Sequence, residues 1–110
     1  MIRLFVLSVV VVGMQANAQP HHPCSGDALA RAGNLLHFHW HQVDLPHIDL
    51  DGTAHAIAPI RALQGPGQFD VLETWGYVYR ARYRMRFIYA RIPGHCVLMG
   101  QEIIEDSDPY

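Results

Sequence analysis

The chain has 110 residues, half of them hydrophobic, with eight basic residues, ten acidic residues and a formal net charge of −2; every basic residue is Arg. That length allows one small domain, and the mildly acidic balance excludes a general nucleic-acid binder, which needs a basic footprint. No internal repeat, low-complexity block or long linker marks a second domain.

The first segment reads "MIRLFVLSVVVVGMQANAQP", with Arg3 ahead of an apolar run from Leu4 to Met14 and small residues at Ala16 and Ala18. A short positive end, a brief hydrophobic core and this small-residue pair predict a cleavable export signal over residues 1–18. The apolar run is about half the roughly 20 residues a membrane span requires. Export therefore leaves residues 19–110 as one domain with no membrane anchor, in the periplasm or secreted medium. An all-Arg basic set fits a GC-rich coding sequence and a bacterial periplasmic location.

The chain contains two cysteines, Cys24 and Cys96. In an oxidising compartment they predict a disulfide joining the two ends of the mature domain. The alternative is a pair of thiolate metal ligands near His22 and His95, against which stands the absence of any C-x-x-C spacing.

After the proline-broken "QPHHPC", the segment "SGDALARAGNLLHFHWHQV" places Leu29, Ala32, Leu36, Trp40 and Val43 on one helical face. Ser25 is the expected N-cap, Asp27 suits the positive end of the helix dipole, and Pro46 supplies a stop. Residues 44–68 are rich in Pro and Gly and read as loop with one short strand near residues 53–62.

The last forty residues alternate strongly and are aromatic and β-branched, which predicts antiparallel strands. Tyr77, Tyr79, Ala81, Tyr83, Met85, Phe87 and Tyr89 share one parity as an apolar face; Arg80, Arg82, Arg84 and Arg86 share the other. No turn residue separates Gly76 from Pro93, a run far longer than a usual strand, so a bend, bulge or tight reversal is expected near Arg80–Arg82. "IPGH" at 92–95 supplies the turn before the last strand. The fold expected is α+β: one N-terminal helix packed on a three- to four-stranded antiparallel sheet, closed by a single disulfide.

Two constellations carry candidate chemistry. In "LLHFHWHQ", His37, His39 and His41 would form a zinc or copper comb on a strand. On a helix His37 and His41 remain neighbours while His39 turns about 200° away, leaving a two-histidine site in need of a third ligand. The helical phase set by the preceding residues favours the second geometry. Otherwise these histidines are a solvated helix flank.

The second constellation is the arginine set. Four guanidiniums on one strand face form a positive strip suited to an acidic protein surface or an anionic ligand, with Trp75 and Tyr79 as aromatic anchors. The competing reading pairs the arginines with Glu102, Glu105 and Asp106 on the returning strand. Nucleophiles for catalysis are scarce: the mature serines are Ser25 and Ser107, both near predicted ends, and both cysteines are committed to the disulfide. The sequence therefore reads as a small exported, non-enzymatic binding protein of inhibitor, immunity or accessory type that uses the arginine face. The alternative is a periplasmic zinc or copper protein that uses the histidine cluster.

Overall fold

The computed structural model describes Phe5, Ser8, residues 21–40 and residues 47–106. Helix α1 spans Ser25–Trp40, followed by strands β1 (Ile48–Leu50), β2 (His55–Arg61), β3 (Gln68–Val78), β4 (Ala81–Ala90) and β5 (Val97–Glu105). In α1, Ala28, Ala32 and Leu36 recur every fourth position, and all three are fully buried. Leu29, Leu35 and Trp40 flank this stripe and pack against the core more loosely. Val43 lies outside the described residues.

The helix starts differently from the expectation. The Cys24 carbonyl accepts the first helical bond, from the Ala28 N–H, and the Cys24 N–H is donated to His22 Nδ1 at 3.0 Å. Ser25 therefore lies inside the first turn and does not cap it. Its buried hydroxyl donates instead to the Ala54 carbonyl at 3.0 Å, pinning the helix start to the segment before β2.

The sheet has five antiparallel strands, more than the three or four expected. Two strands pair on one side of β3: β1 with its C-terminal end, Ile48 opposite Val78, and β2 with its N-terminal half, His55 opposite Glu73. β2 is the short strand expected near residues 53–62, although Pro59 and a register shift between Ile57 and Ile60 interrupt it, whereas β1, with three residues, is too short to read from sequence. On the other side of β3 lie β4 and then β5.

The long aromatic run reverses where a reversal was expected. Val78 pairs with Ala81, so Tyr79 and Arg80 form a two-residue hairpin loop. Tyr79 takes φ 54°, a left-handed conformation unusual for a bulky residue, and its ring meets Trp40 edge-on at 6.1 Å between centroids. The reversal shifts the parity: Leu72, Thr74 and Val78 are buried together with Tyr83, Met85, Phe87 and Tyr89. Tyr77 and Tyr79 therefore leave the predicted apolar face, and Val78 joins it.

The helix settles on this inner face at Gly76. A Cβ there would collide with Leu36 Cδ1 and come within 3.0 Å of Met85 Cε and 3.1 Å of Leu50 Cδ2, so only glycine lets the helix approach this closely. Cys24 and Cys96 form the predicted disulfide, Cα–Cα 5.6 Å, tying the start of α1 to the entry of β5. The buried Thr74 hydroxyl donates to the Thr53 carbonyl at 2.9 Å, so the sheet interior leaves no stray donor there. Among the described residues no helix is long and apolar enough to cross a membrane.

Candidate binding surface

Because α1 covers one face of the sheet, the other is left as a surface on which, among the described residues, no element packs. Strand alternation decides what it carries. The cross-strand register sets Trp75 beside Arg84 and Ile104, Glu73 beside Arg86 and Glu102, and Val71 beside Ile88 and Gly100. β2 adds His55 opposite Glu73 and Ile57 opposite Val71. The outer face is thus charged and aromatic toward the hairpin end, and aliphatic toward the opposite end.

At the aliphatic end Ile57, Ala58, Ile60, Val71 and Ile88 line an open groove of about 640 Å³, closed at one side by Glu73, Arg86 and Glu102. Val71 is buried here, although it belongs to the outer face and not to the core under the helix.

Three of the four predicted arginines share this surface; Arg80 does not, because it sits in the hairpin loop. Arg86 Nε donates to Glu73 Oε2 at 2.8 Å, and its Nη1 lies 3.8 Å from Glu102. Arg82 Nη2 donates to Asp106 Oδ2 at 2.7 Å, with its guanidinium 4.8 Å above the Trp75 ring. Arg84 has the weakest partner, Glu102 at 3.9 Å, too long for a hydrogen bond, and its buried Nε has no acceptor. The competing expectation of cross-strand pairing therefore reaches all three arginines, closely for Arg82 and only at 3.8–3.9 Å from Glu102 for Arg86 and Arg84. Of its acids, Glu102 and Asp106 serve, whereas Glu105 pairs opposite Tyr83 on the inner parity. Glu73, the strongest partner of Arg86, was not signalled by the sequence, because only the hairpin register places it there.

Such half-exposed pairs contribute about 0–1 kcal/mol each. They also balance the formal charge of the patch, so it is not the bare positive strip that the arginine spacing pointed to. Tyr79, one of the two predicted anchors, projects from the hairpin loop toward Trp40; Trp75, the other, is half-buried under Arg82.

Of the histidine cluster, His37 and His39 lie on the last turns of α1 and point apart, which rules out the strand comb for these two. His39 packs edge-on against Tyr83, 5.3 Å between centroids. His41, the helical neighbour of His37, lies outside the described residues. Among the described residues no group of three His, Cys, Asp or Glu side chains is arranged to hold a metal ion.

A second polar cluster, invisible in the sequence, surrounds the disulfide. His22 Nε2 meets Asp70 Oδ2 at 3.0 Å, and Arg91 Nε donates to Asp70 Oδ1 at 2.8 Å. The bond from His22, then the Arg91 guanidinium, hold the Asp70 carboxyl below its ordinary range. These residues line a cavity of about 390 Å³ beside Cys24 and Cys96. His22 has a structural task here: its Nδ1 accepts the Cys24 N–H, so the neutral ring donates from Nε2 to Asp70.

Comparison of the chain with protein-family models, with curated protein sequences and with solved structures finds no match in any of the three.

Proposed function

We propose that this is a small exported, non-enzymatic binding protein that takes an acidic protein partner on the outer face of its sheet. The observation that carries the reading is the aliphatic groove of Ile57, Ile60, Val71 and Ile88, bordered by Arg86 and followed two residues along β4 by Arg84, whose nearest carboxylate, Glu102, lies 3.9 Å away. Apolar anchoring near a loosely paired cation suits a protein segment that brings one aliphatic side chain and one carboxylate. A free anion would have to compete with Glu73, Glu102 and Asp106, which already face the arginines. The disulfide-closed ends and the signal-like residues 1–18 support the exported location. The non-catalytic part of the reading rests on Cys24 and Cys96 being joined and on the Ser25 hydroxyl being committed to Ala54.

Site-specific photo-crosslinking in the source cell tests this. A crosslinker at Ile60 or Trp75 should trap one protein species, absent when the crosslinker sits at Asn34 on the helix. Arg84→Glu should remove that crosslink while the melting temperature moves by only a few degrees. Equal trapping from the helix position, or trapping unaffected by Arg84→Glu, overturns the assignment.

A further inference from the structure

The two borders of the sheet differ in kind. On one side the border is made by the three-residue β1 and by β2, which carries Pro59, a register shift and the terminal Arg61. Proline, bulges and very short strands are the devices that keep a sheet edge from pairing with another chain. On the other side β5 runs nine residues, Val97–Glu105, without proline or a basic residue. Its own register shift lies at its N-terminal end, opposite Ile88 and Tyr89, so the stretch from Gly100 onward is regular. Among the described residues nothing pairs with its far edge.

The hydrogen bonding identifies which groups face outward. The Asp106 N–H donates to the Arg82 carbonyl at 2.7 Å, directly across from it. Antiparallel strands alternate, so Gly100, Glu102 and Ile104 turn their backbone groups toward β4, while Gln101, Ile103 and Glu105 turn theirs outward. We infer that this free edge joins two copies of the chain, β5 pairing antiparallel with β5 about a two-fold axis at Ile103.

Charge selects that register. With Ile103 on the axis, Ile103 meets its own copy, Gln101 lies opposite Glu105, and Glu102 lies opposite Ile104. Moving the axis to Glu102 sets that carboxylate against itself, and moving it to Ile104 sets Glu102 against Asp106. Moving it to Gln101 brings Ile103 against Met99, in the irregular part of β5. The chosen register joins outward groups to outward groups, about six backbone hydrogen bonds in all. It also covers apolar surface: Ile104 is 43% exposed, and Ile103 on the helix side is only partly buried. Two-fold pairing closes on itself, leaves no further free edge on this side, and keeps both helices on one face of a doubled sheet. The outer face remains open, so this inference stands apart from the proposed partner site.

The test measures association and amide exchange on the purified protein with its disulfide intact. Sedimentation equilibrium should show a monomer–dimer equilibrium. The amides of Gln101, Ile103 and Glu105 should exchange at least tenfold more slowly at concentrations that favour the dimer than after dilution. Gln101→Pro removes an outward N–H that has no strand partner among the described residues, and should weaken the dimer at least tenfold with the disulfide and far-UV spectrum retained. Should that variant misfold, the concentration dependence of exchange in the unaltered protein still decides. A monomer at every concentration with rapid exchange at these amides overturns the inference, as does a dimer unaffected by Gln101→Pro. Protection that does not depend on concentration also overturns it, since another part of the same chain would then cover the edge.

Discussion

Replacing Gly76 by Ala should destabilise the protein, against the usual sign for a glycine in a strand. Ala in place of a strand glycine ordinarily adds about 0.5–1 kcal/mol, because less backbone freedom is lost on folding. Here the new methyl must displace Leu36 Cδ1 and press on Met85 and Leu50. Leu36 and Met85 are fully buried, so their side chains have little room to turn and part of the shift falls on α1. Overpacking of this kind costs about 1–3 kcal/mol, leaving a net loss of about 1–2 kcal/mol. The diagnostic companion is Leu36→Val, which removes the Cδ1 atom in the way and by itself costs about 1 kcal/mol. In that background the cost of Gly76→Ala should fall toward zero, a coupling of about 1–2 kcal/mol between the two sites. Urea unfolding followed by tryptophan fluorescence, with the disulfide kept oxidised, gives all four stabilities. A neutral or stabilising Gly76→Ala, or the same cost in both backgrounds, would refute the placement of the helix on this glycine.

Replacing both cysteines by Ala should cost about 4 kcal/mol, since the bond closes a long loop, with a sequence separation of 72. Unfolding midpoints in urea check this, and a loss below about 1 kcal/mol would mean the unfolded chain is already held compact. Tyr89→Phe should cost about 1–2 kcal/mol at neutral pH, because the phenol of the buried Tyr89 donates to the part-buried Asp27 Oδ2 at 2.7 Å. The same pair sets a pH signature. The bond from Arg31, then that from Tyr89, lowers Asp27 from its ordinary 3.8, so its contribution is present above that value and lost as pH falls through the lowered one. Burial, then the Asp27 bond, raises Tyr89 above 10.0, so its contribution is full below pH 10 and lost as pH rises through the raised value. Midpoints measured across both limbs should show each of these losses reduced in Tyr89→Phe.

What the sequence by itself determined was local or followed from chain chemistry. The helix was legible because its apolar residues keep one period over four turns. The strands after residue 68 were legible because aromatic and β-branched residues alternate. The pairing of Cys24 with Cys96 followed from there being two cysteines and an export-like leader. Tertiary structure decided the rest. The hairpin at Tyr79 and Arg80 carries no glycine, proline or asparagine to announce it, yet it flips the parity of everything upstream. It removes Arg80 from the strip, turns Tyr77 outward and brings Val78 into the core. Glu73 became the partner of Arg86, and Asp70 that of His22, across separations that only sheet register and helix docking close. The three arginines of the outer face were visible as a spacing, but their charge balance was not. A side chain's period is written in its neighbours along the chain, whereas its partner is set by the strand that comes to lie beside it.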